Sequence, residues 1–379
     1  DGDGEISITE AESVSEILLL PKMIDFGGGY QEPDFNELDP IMDYQGINSF
    51  SNATTISLHR IAVPLAGLDI SGLAHLKKFS VIFYNSDPAK VSLANLPNLE
   101  SLNLSGIELA DGNIIPQLKN LSLSYGVSAN NLFLDKIQNA DLLEYITLTS
   151  VSPYFDPSDE LILSNHTNLK SVYISNIKFS NINLSQCNQL KSVSIKGNFS
   201  SFNPLQIGTI DVSDCPMLTD LDLDSNNSTG NHSGVSTVIA NNCSSLVTIK
   251  CSSWFLQALQ AINCPLLSVI DLYACNAMDL GQVPNLKNIS VQRFKGDSFD
   301  ATAATNLEVL NLDYFNYSTS PFVNAFGSLK NLTVKNNAFL KNLSLNNQPI
   351  SDLDISGVQS LETLSASVGF SFGADPQPD

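Results

Sequence analysis

The feature that most constrains this chain is a motif, Leu-x-x-(Leu/Ile/Val)-x-(Leu/Ile/Val), that keeps returning along it. Clear copies stand at Leu99-Glu-Ser-Leu102-Asn-Leu104 and Leu118-Lys-Asn-Leu121-Ser-Leu123, and 14 copies run from Leu76 to Ala366. Their first leucines lie 19 to 28 residues apart, except Leu329 and Leu340, which are separated by 11. Apolar and polar residues in alternation mark a strand, because successive side chains point to opposite faces. A period of this length means one structural unit per copy, stacked so that neighbours close a common core. By length alone, 379 residues suggest two or three domains; a stack of units accommodates them as one.

A second, weaker motif, apolar-x-apolar-Ser, precedes the leucine, as in Ile182-Asn183-Leu184-Ser185, Ile210-Asp211-Val212-Ser213 and Leu353-Asp354-Ile355-Ser356. It fits the half-period at Leu329. No long 3.6-residue periodicity lies between the motifs, so short strands and turns, not full helices, are predicted there.

Together these motifs resemble the leucine-rich-repeat family over about residues 55 to 369. The phrasing is similar to surface leucine-rich-repeat proteins of Bacteroidetes and, more distantly, to internalins. The resemblance implies a right-handed repeat solenoid with a parallel β-sheet and mostly short strands and turns on the convex side. The family's Asn/Cys position is met at Asn198, Asn226, Cys275 and Asn337. It is not met at Tyr84, Ile107, Trp254, Phe294 or Phe315, where aromatic packing is expected to stand in for the backbone ladder. A parallel β-helix of similar period is the structural alternative.

Before the repeats, Asp1-Gly2-Asp3-Gly4-Glu5-Ile6-Ser7-Ile8-Thr9-Glu10 resembles the second part of an EF-hand or dockerin loop. Asp1, Asp3 and Glu10 are then the metal-ligand candidates, with Glu10 as the bidentate carboxylate. The first ligand position would precede Asp1, so a longer chain is expected to take Ca²⁺ and this one to take it weakly. Ala11–Leu20 reads as a short helix ended by Pro21. The segments expected are therefore 1–20 (truncated loop and helix), 21–54 (an N-terminal cap), 55–369 (the solenoid) and 370–379 (a polar tail).

Composition narrows the partners. Charged residues are only 15% of the chain and its formal net charge is −21. That balance opposes nucleic acid and anionic membranes, both of which require clustered Lys and Arg. No stretch approaches the 18 or so apolar residues of a membrane span.

Six cysteines all occupy repeat positions. Cys187, Cys215, Cys243 and Cys264 each precede a first leucine by three residues, Cys251 takes a strand position, and Cys275 the Asn/Cys position. Buried free thiols in one column are expected, with at most one disulfide between neighbours, and the spacings match no zinc motif. The histidines, His59, His75, His166 and His232, share no repeat position and are expected at the surface or in loops. No nucleophile elbow or His-Glu-x-x-His is present.

Two sets of residues are candidates for ligand contact. Asp220, Asp222 and Asp224 alternate with core leucines and share one strand face, successive carboxylates about 7 Å apart. That spacing suits a cation, a ligand or a glycosidase pair, and equally cross-strand ion pairing with Lys250 beside Asp222 and Lys196 beside Asp224. The second set is aromatic and lies just past the strands: Trp254, Tyr273, Tyr314, Phe315 and Tyr317. Such a ridge stacks on sugars or anchors a protein, or packs between repeats. Loops at Ser152–Glu160 and Asn226–Gly234 are further recognition candidates. The expected function is a non-enzymatic, monomeric extracellular or cell-surface protein that binds a protein or carbohydrate, without a resident cofactor. A carbohydrate-active enzyme on a β-helix-like solenoid and a passive spacer are the alternatives.

Overall fold

The computed structural model describes residues 7–19, 22–25, 31–34, 46–61, 68–83, 89–109, 117–124, 137–149, 160–177, 179–197, 206–223, 234–315 and 326–367. The chain folds as a parallel-strand β-solenoid, divided into two compact units at about residues 162–180.

In the first unit, strands Glu16–Leu19, Thr55–Ile61, Lys78–Phe83, Ser101–Ser105, Asn120–Ser124, Tyr145–Thr149 and Ser171–Ser175 pair in that order, all parallel. Behind them Leu68–Asp69, Ala89–Ser92 and Ile107–Leu109 form a smaller parallel sheet. In the second unit the main strands are Ser192–Lys196, Asp220–Leu223, Thr248–Cys251, Val269–Cys275, Asn288–Phe294, Val309–Leu312, Asn342–Ser344 and Thr363–Ser365. Its secondary strands are Asn181–Asn183, Gln206–Asp211, Gly234–Ile239, Ala258–Gln260 and Ala277–Asp279. A further set is Ser298–Asp300, Asn331–Thr333 and Asp352–Asp354.

The period-2 pattern decides the core. Leu102 and Leu104 are buried in Ser101–Ser105 while Ser101 and Asn103 stay half-buried, and the same alternation returns turn after turn. All three motif positions are buried in 13 of the 14 copies, each leucine contributing about 1.5–3 kcal/mol on leaving water. The last copy has no following turn among the described residues, and Leu364 is 51% exposed.

The Ser-ended motif has a local cause. Asn183, Asp211 and Asp354 each accept the N–H of the Ser two residues on, at 3.0, 2.9 and 2.9 Å. This Asx turn ends the secondary strand. The residue after that Ser then takes positive φ: Gln186 (61°), Asp214 (58°) and Gly357 (78°). The chain thereby turns into the next main strand.

Three expectations change. The N-terminal helix is Ile8–Ser13, not Ala11–Leu20, and Glu16–Leu19 is already a main strand, paired with Thr55–Ile61. Pairing along a whole backbone edge outweighs the weak helical preference of so short a segment. The Leu329 copy lies in a secondary sheet, so Thr333 belongs there and not to the main face. Asn337 accordingly sits three residues before Leu340, in the place other turns give to cysteine. It is buried and donates to the Ala301 and Val334 carbonyls, both at 3.2 Å.

Candidate functional site

Parallel pairing in register carries residues in the last part of successive main strands, or just past them, to one edge of the sheet. In the second unit this assembles Trp254, Tyr273, Arg293 and Tyr314. The Trp254 and Tyr273 rings stack at 5.2 Å between centroids and 14° between planes. The guanidinium carbon of Arg293 lies 5.2 Å from the Trp254 centroid and 5.4 Å from that of Tyr314. Nη2 donates to the Tyr314 hydroxyl at 3.4 Å, and the Arg293 and Tyr314 backbones meet in an antiparallel bridge. Each cation–ring contact is worth about 0.5–2 kcal/mol, more as water is excluded.

The rings are mostly consumed by this packing. Tyr273 and Tyr314 are buried, and Trp254 is half-buried. Phe255 and Phe315, next to them in the chain, are 40% and 38% exposed. Phe315 is fixed by its N–H, which donates to the Gln292 carbonyl at 3.0 Å. Phe294, at a departure from the Asn/Cys pattern, is fully buried and meets Phe299 edge-on at 6.0 Å. Its backbone stays hydrogen-bonded all the same: its N–H donates to the Asp313 carbonyl at 3.0 Å and its carbonyl accepts from the Gln348 side-chain amide at 3.0 Å. Tyr317 lies outside the described residues.

Arg293 was not singled out by the aromatic pattern, although the register held a signal. It lies seven residues after Leu286, as Tyr314 lies seven after Leu307. Among the described residues Arg293 makes no ion pair, whereas Lys119, Lys170, Lys196, Lys287 and Lys341 all do. Its Nε is buried without a hydrogen-bond partner. The adjacent carboxylate of Asp313 is buried and engaged elsewhere: Oδ1 accepts from Ser344 Oγ at 2.8 Å and from the Asn346 N–H at 2.7 Å.

The acidic set is a different arrangement. Asp220 is exposed, Asp222 is half-exposed, and Leu221 and Leu223 between and beyond them are buried. Asp222 faces Lys250 in register, and Lys250 faces Asp271. Lys196 bonds Asp222, Nζ to Oδ2 at 2.6 Å. Asp224 lies outside the described residues.

Asp1 and Asp3 also lie outside the described residues. Glu10 is occupied as the third residue of a capping box: its carboxylate accepts from the Ser7 N–H at 2.8 Å and the Ser7 hydroxyl at 2.7 Å, while Ser7 Oγ accepts the Glu10 N–H at 3.2 Å. These bonds hold its pKa below the usual carboxylate range.

The six cysteines are buried free thiols. Cys187, Cys215, Cys243 and Cys264 donate in turn to the carbonyls of Leu163, Leu184, Val212 and Ala240 at 3.1, 3.2, 3.1 and 2.9 Å. The column thus replaces a backbone donor at each turn. The neighbouring thiol of Cys187, together with burial, pushes Cys215 up, and burial pushes Cys275 up to about 12. His166 takes a loop position, as expected, but a buried one: it lies in the turn before Leu169, whose N–H donates to the His166 carbonyl at 3.0 Å. His59 is half-buried within strand Thr55–Ile61 and meets Ser80 Oγ at 2.8 Å, its pKa lowered by burial. His75 is exposed, and His232 lies outside the described residues.

No protein-family model and no curated protein matches the sequence. Among solved structures, 18 chains do. One is the crystal structure of a TLR13–ssRNA13 complex, 17% identical, covering 83% of this chain and 59% of that one, with a TM-score of 0.28. This chain therefore spans 59% of the length of that TLR13 chain. Another is an internalin (inlF) from Listeria monocytogenes str. 4b F2365, 13% identical, covering 97% and 90% of the two chains, with a TM-score of 0.29. The solenoid rests on the strand pairing itself, turn by turn, from Glu16–Leu19 to Thr363–Ser365.

Proposed function

We propose that this chain is a non-enzymatic binding protein of the cell surface or extracellular space that recognises a protein or glycan partner along one edge of its repeats. The observation that carries this reading is Arg293. It is a cation clasped by Trp254 and Tyr314 and without an ion pair among the described residues, in a chain with 39 acidic residues and 18 basic ones. Holding a guanidinium in place without a carboxylate leaves its charge and donors for a partner. Exposed Phe255 and Phe315, next in the chain to Trp254 and Tyr314, supply apolar contact, and aromatic residues with arginine dominate the energetic centres of interfaces. The Asp220/Asp222 face is the weaker candidate, since Lys196 and Lys250 already answer its charge.

An array of extracellular-matrix proteins and glycans tests the reading. Wild-type chain is expected to retain at least one ligand, Arg293→Gln to lose it tenfold or more, and Asp222→Asn to keep it. A passive spacer would bind nothing on the array. Turnover of a polysaccharide that Asp222→Asn abolishes would establish the enzyme instead.

A further inference from the structure

We infer that the Arg293 edge takes a carboxylate from a protein partner, presented by an acidic residue with apolar neighbours. The inference rests on the proposed binding role and goes on to name the chemistry of the ligand.

The argument starts from what the rings leave available. Trp254 is covered by Tyr273 and by the guanidinium, and Tyr273 and Tyr314 are 8% and 9% exposed. No ring of the stack offers the open face on which a sugar lies. Arg293 is half-buried, and Phe255 and Phe315, one residue along the chain from Trp254 and Tyr314, are exposed rings that carry no hydrogen-bonding atom of their own. Gln257 and Asn276, which could read hydroxyl groups, bond each other instead, Asn276 Nδ2 donating to Gln257 Oε1 at 2.6 Å. One cation flanked by apolar rings complements an acidic side chain set among apolar ones.

The guanidinium favours a carboxylate over a phosphate. Rings packed against its faces leave the in-plane N–H groups, which match the two oxygens of a carboxylate as a fork. Of five donors, the single bond among the described residues is the long one to Tyr314 at 3.4 Å. A net charge of −21 repels a dianion more than a monoanion. At physiological salt the screening length is about 8 Å, so a single carboxylate against Arg293 responds mainly to local charge.

The test uses two immobilised pools of decapeptides, identical except for a central Glu or Gln, the flanking positions being random mixtures of Leu, Ile, Phe and Tyr. Wild-type chain is expected to bind the Glu pool at least tenfold better than the Gln pool. Arg293→Gln, with an unchanged thermal melt, is expected to lose that preference, and Phe315→Ala to lower binding of the Glu pool severalfold. If Arg293→Gln melts early, Phe315→Ala, which alters an exposed ring, and Arg293→Lys, which keeps the charge but not the fork, carry the test. Equal binding of the two pools overturns the inference, and so does preference for an oligogalacturonate probe over both. Failure of the binding role itself looks different, as an empty protein and glycan array rather than an array ligand that ignores the Glu-to-Gln exchange.

Discussion

Lys196 reaches past its own register position to close on Asp222: Ser194 is the in-register neighbour of Asp222, yet the Lys196 ammonium, two residues further on, lies 2.6 Å from its Oδ2. Lys250 faces the same carboxylate from the other side. The outer face of this strand is therefore an ion-pair row before it is anything else. Lys196 is 17% exposed and Asp222 37%, so the pair is partly covered from water. Asp222→Asn is expected to cost about 1 kcal/mol, at the upper end for a partly exposed pair, and exposed Asp220→Asn close to nothing. Urea melts of the two variants check this; equal midpoints would mean the Lys196 pair contributes no stability.

Leu221 tests the register from the inside. It is 1% exposed between the two aspartates. Leu221→Asp removes its packing and buries an unpaired carboxylate, at a cost of about 3–5 kcal/mol or more. The second unit is expected to lose its cooperative melt in that variant. Comparable melting temperatures for Leu221→Asp and Asp220→Asn would contradict the inward and outward assignment.

The thiols make a chemical prediction. All six cysteines are buried, and Cys275 is pushed up to about 12. In the folded chain they should react slowly with a neutral-pH disulfide reagent, and six should titrate once it is unfolded. Fewer than six would reveal a disulfide, and fewer than four more than one. The linkage runs one way: an unfolded thiol ionises near pH 8.5, while the folded Cys275 holds its proton. Stability from this group is thus full below about 8.5 and declines as pH climbs toward 12. Cys275→Ala should lower the melting temperature at pH 7 through lost packing. Between pH 8.5 and 11 that temperature should then fall less steeply than in wild type.

Glu10 separates a helix cap from a metal ligand. Its carboxylate is held by Ser7 in a capping box that stabilises the start of the helix. Because the folded pKa is depressed, this contribution is present above the unfolded value and is lost as pH falls through the folded one. Ca²⁺ would have to take the carboxylate from Ser7. Millimolar Ca²⁺ is expected to leave the melting temperature of this chain unchanged. A chain extended by several residues, with Asp at the first loop position, should give a heat of Ca²⁺ binding that Glu10→Gln removes. No such heat in the extended chain would leave the resemblance to a calcium loop purely compositional.

The sequence by itself determined the repeat and its two faces. Leucines every second residue can meet only one core, so the burial of Leu102, Leu221 or Leu310 follows from spacing alone. Asp211 and Asp354 two residues before serine likewise encode their own turns, through bonds that close within three residues. Local chemistry of this kind needs no partner from another turn. Tertiary structure decided what depends on residues many turns apart in sequence. Lys196 meets Asp222 two residues out of register because its flexible four-carbon stem lets the ammonium reach along the neighbouring strand. Glu16–Leu19 became a strand because Thr55–Ile61 offered an open backbone edge some 40 residues away. The Leu329 copy moved to a secondary sheet because its half-period left no place for it in the main one. Arg293 shows the same limit most clearly. Nothing in its own segment marks it, and its character comes from Trp254, 39 residues before, and Tyr314, 21 after, brought to it only when parallel turns stack in register.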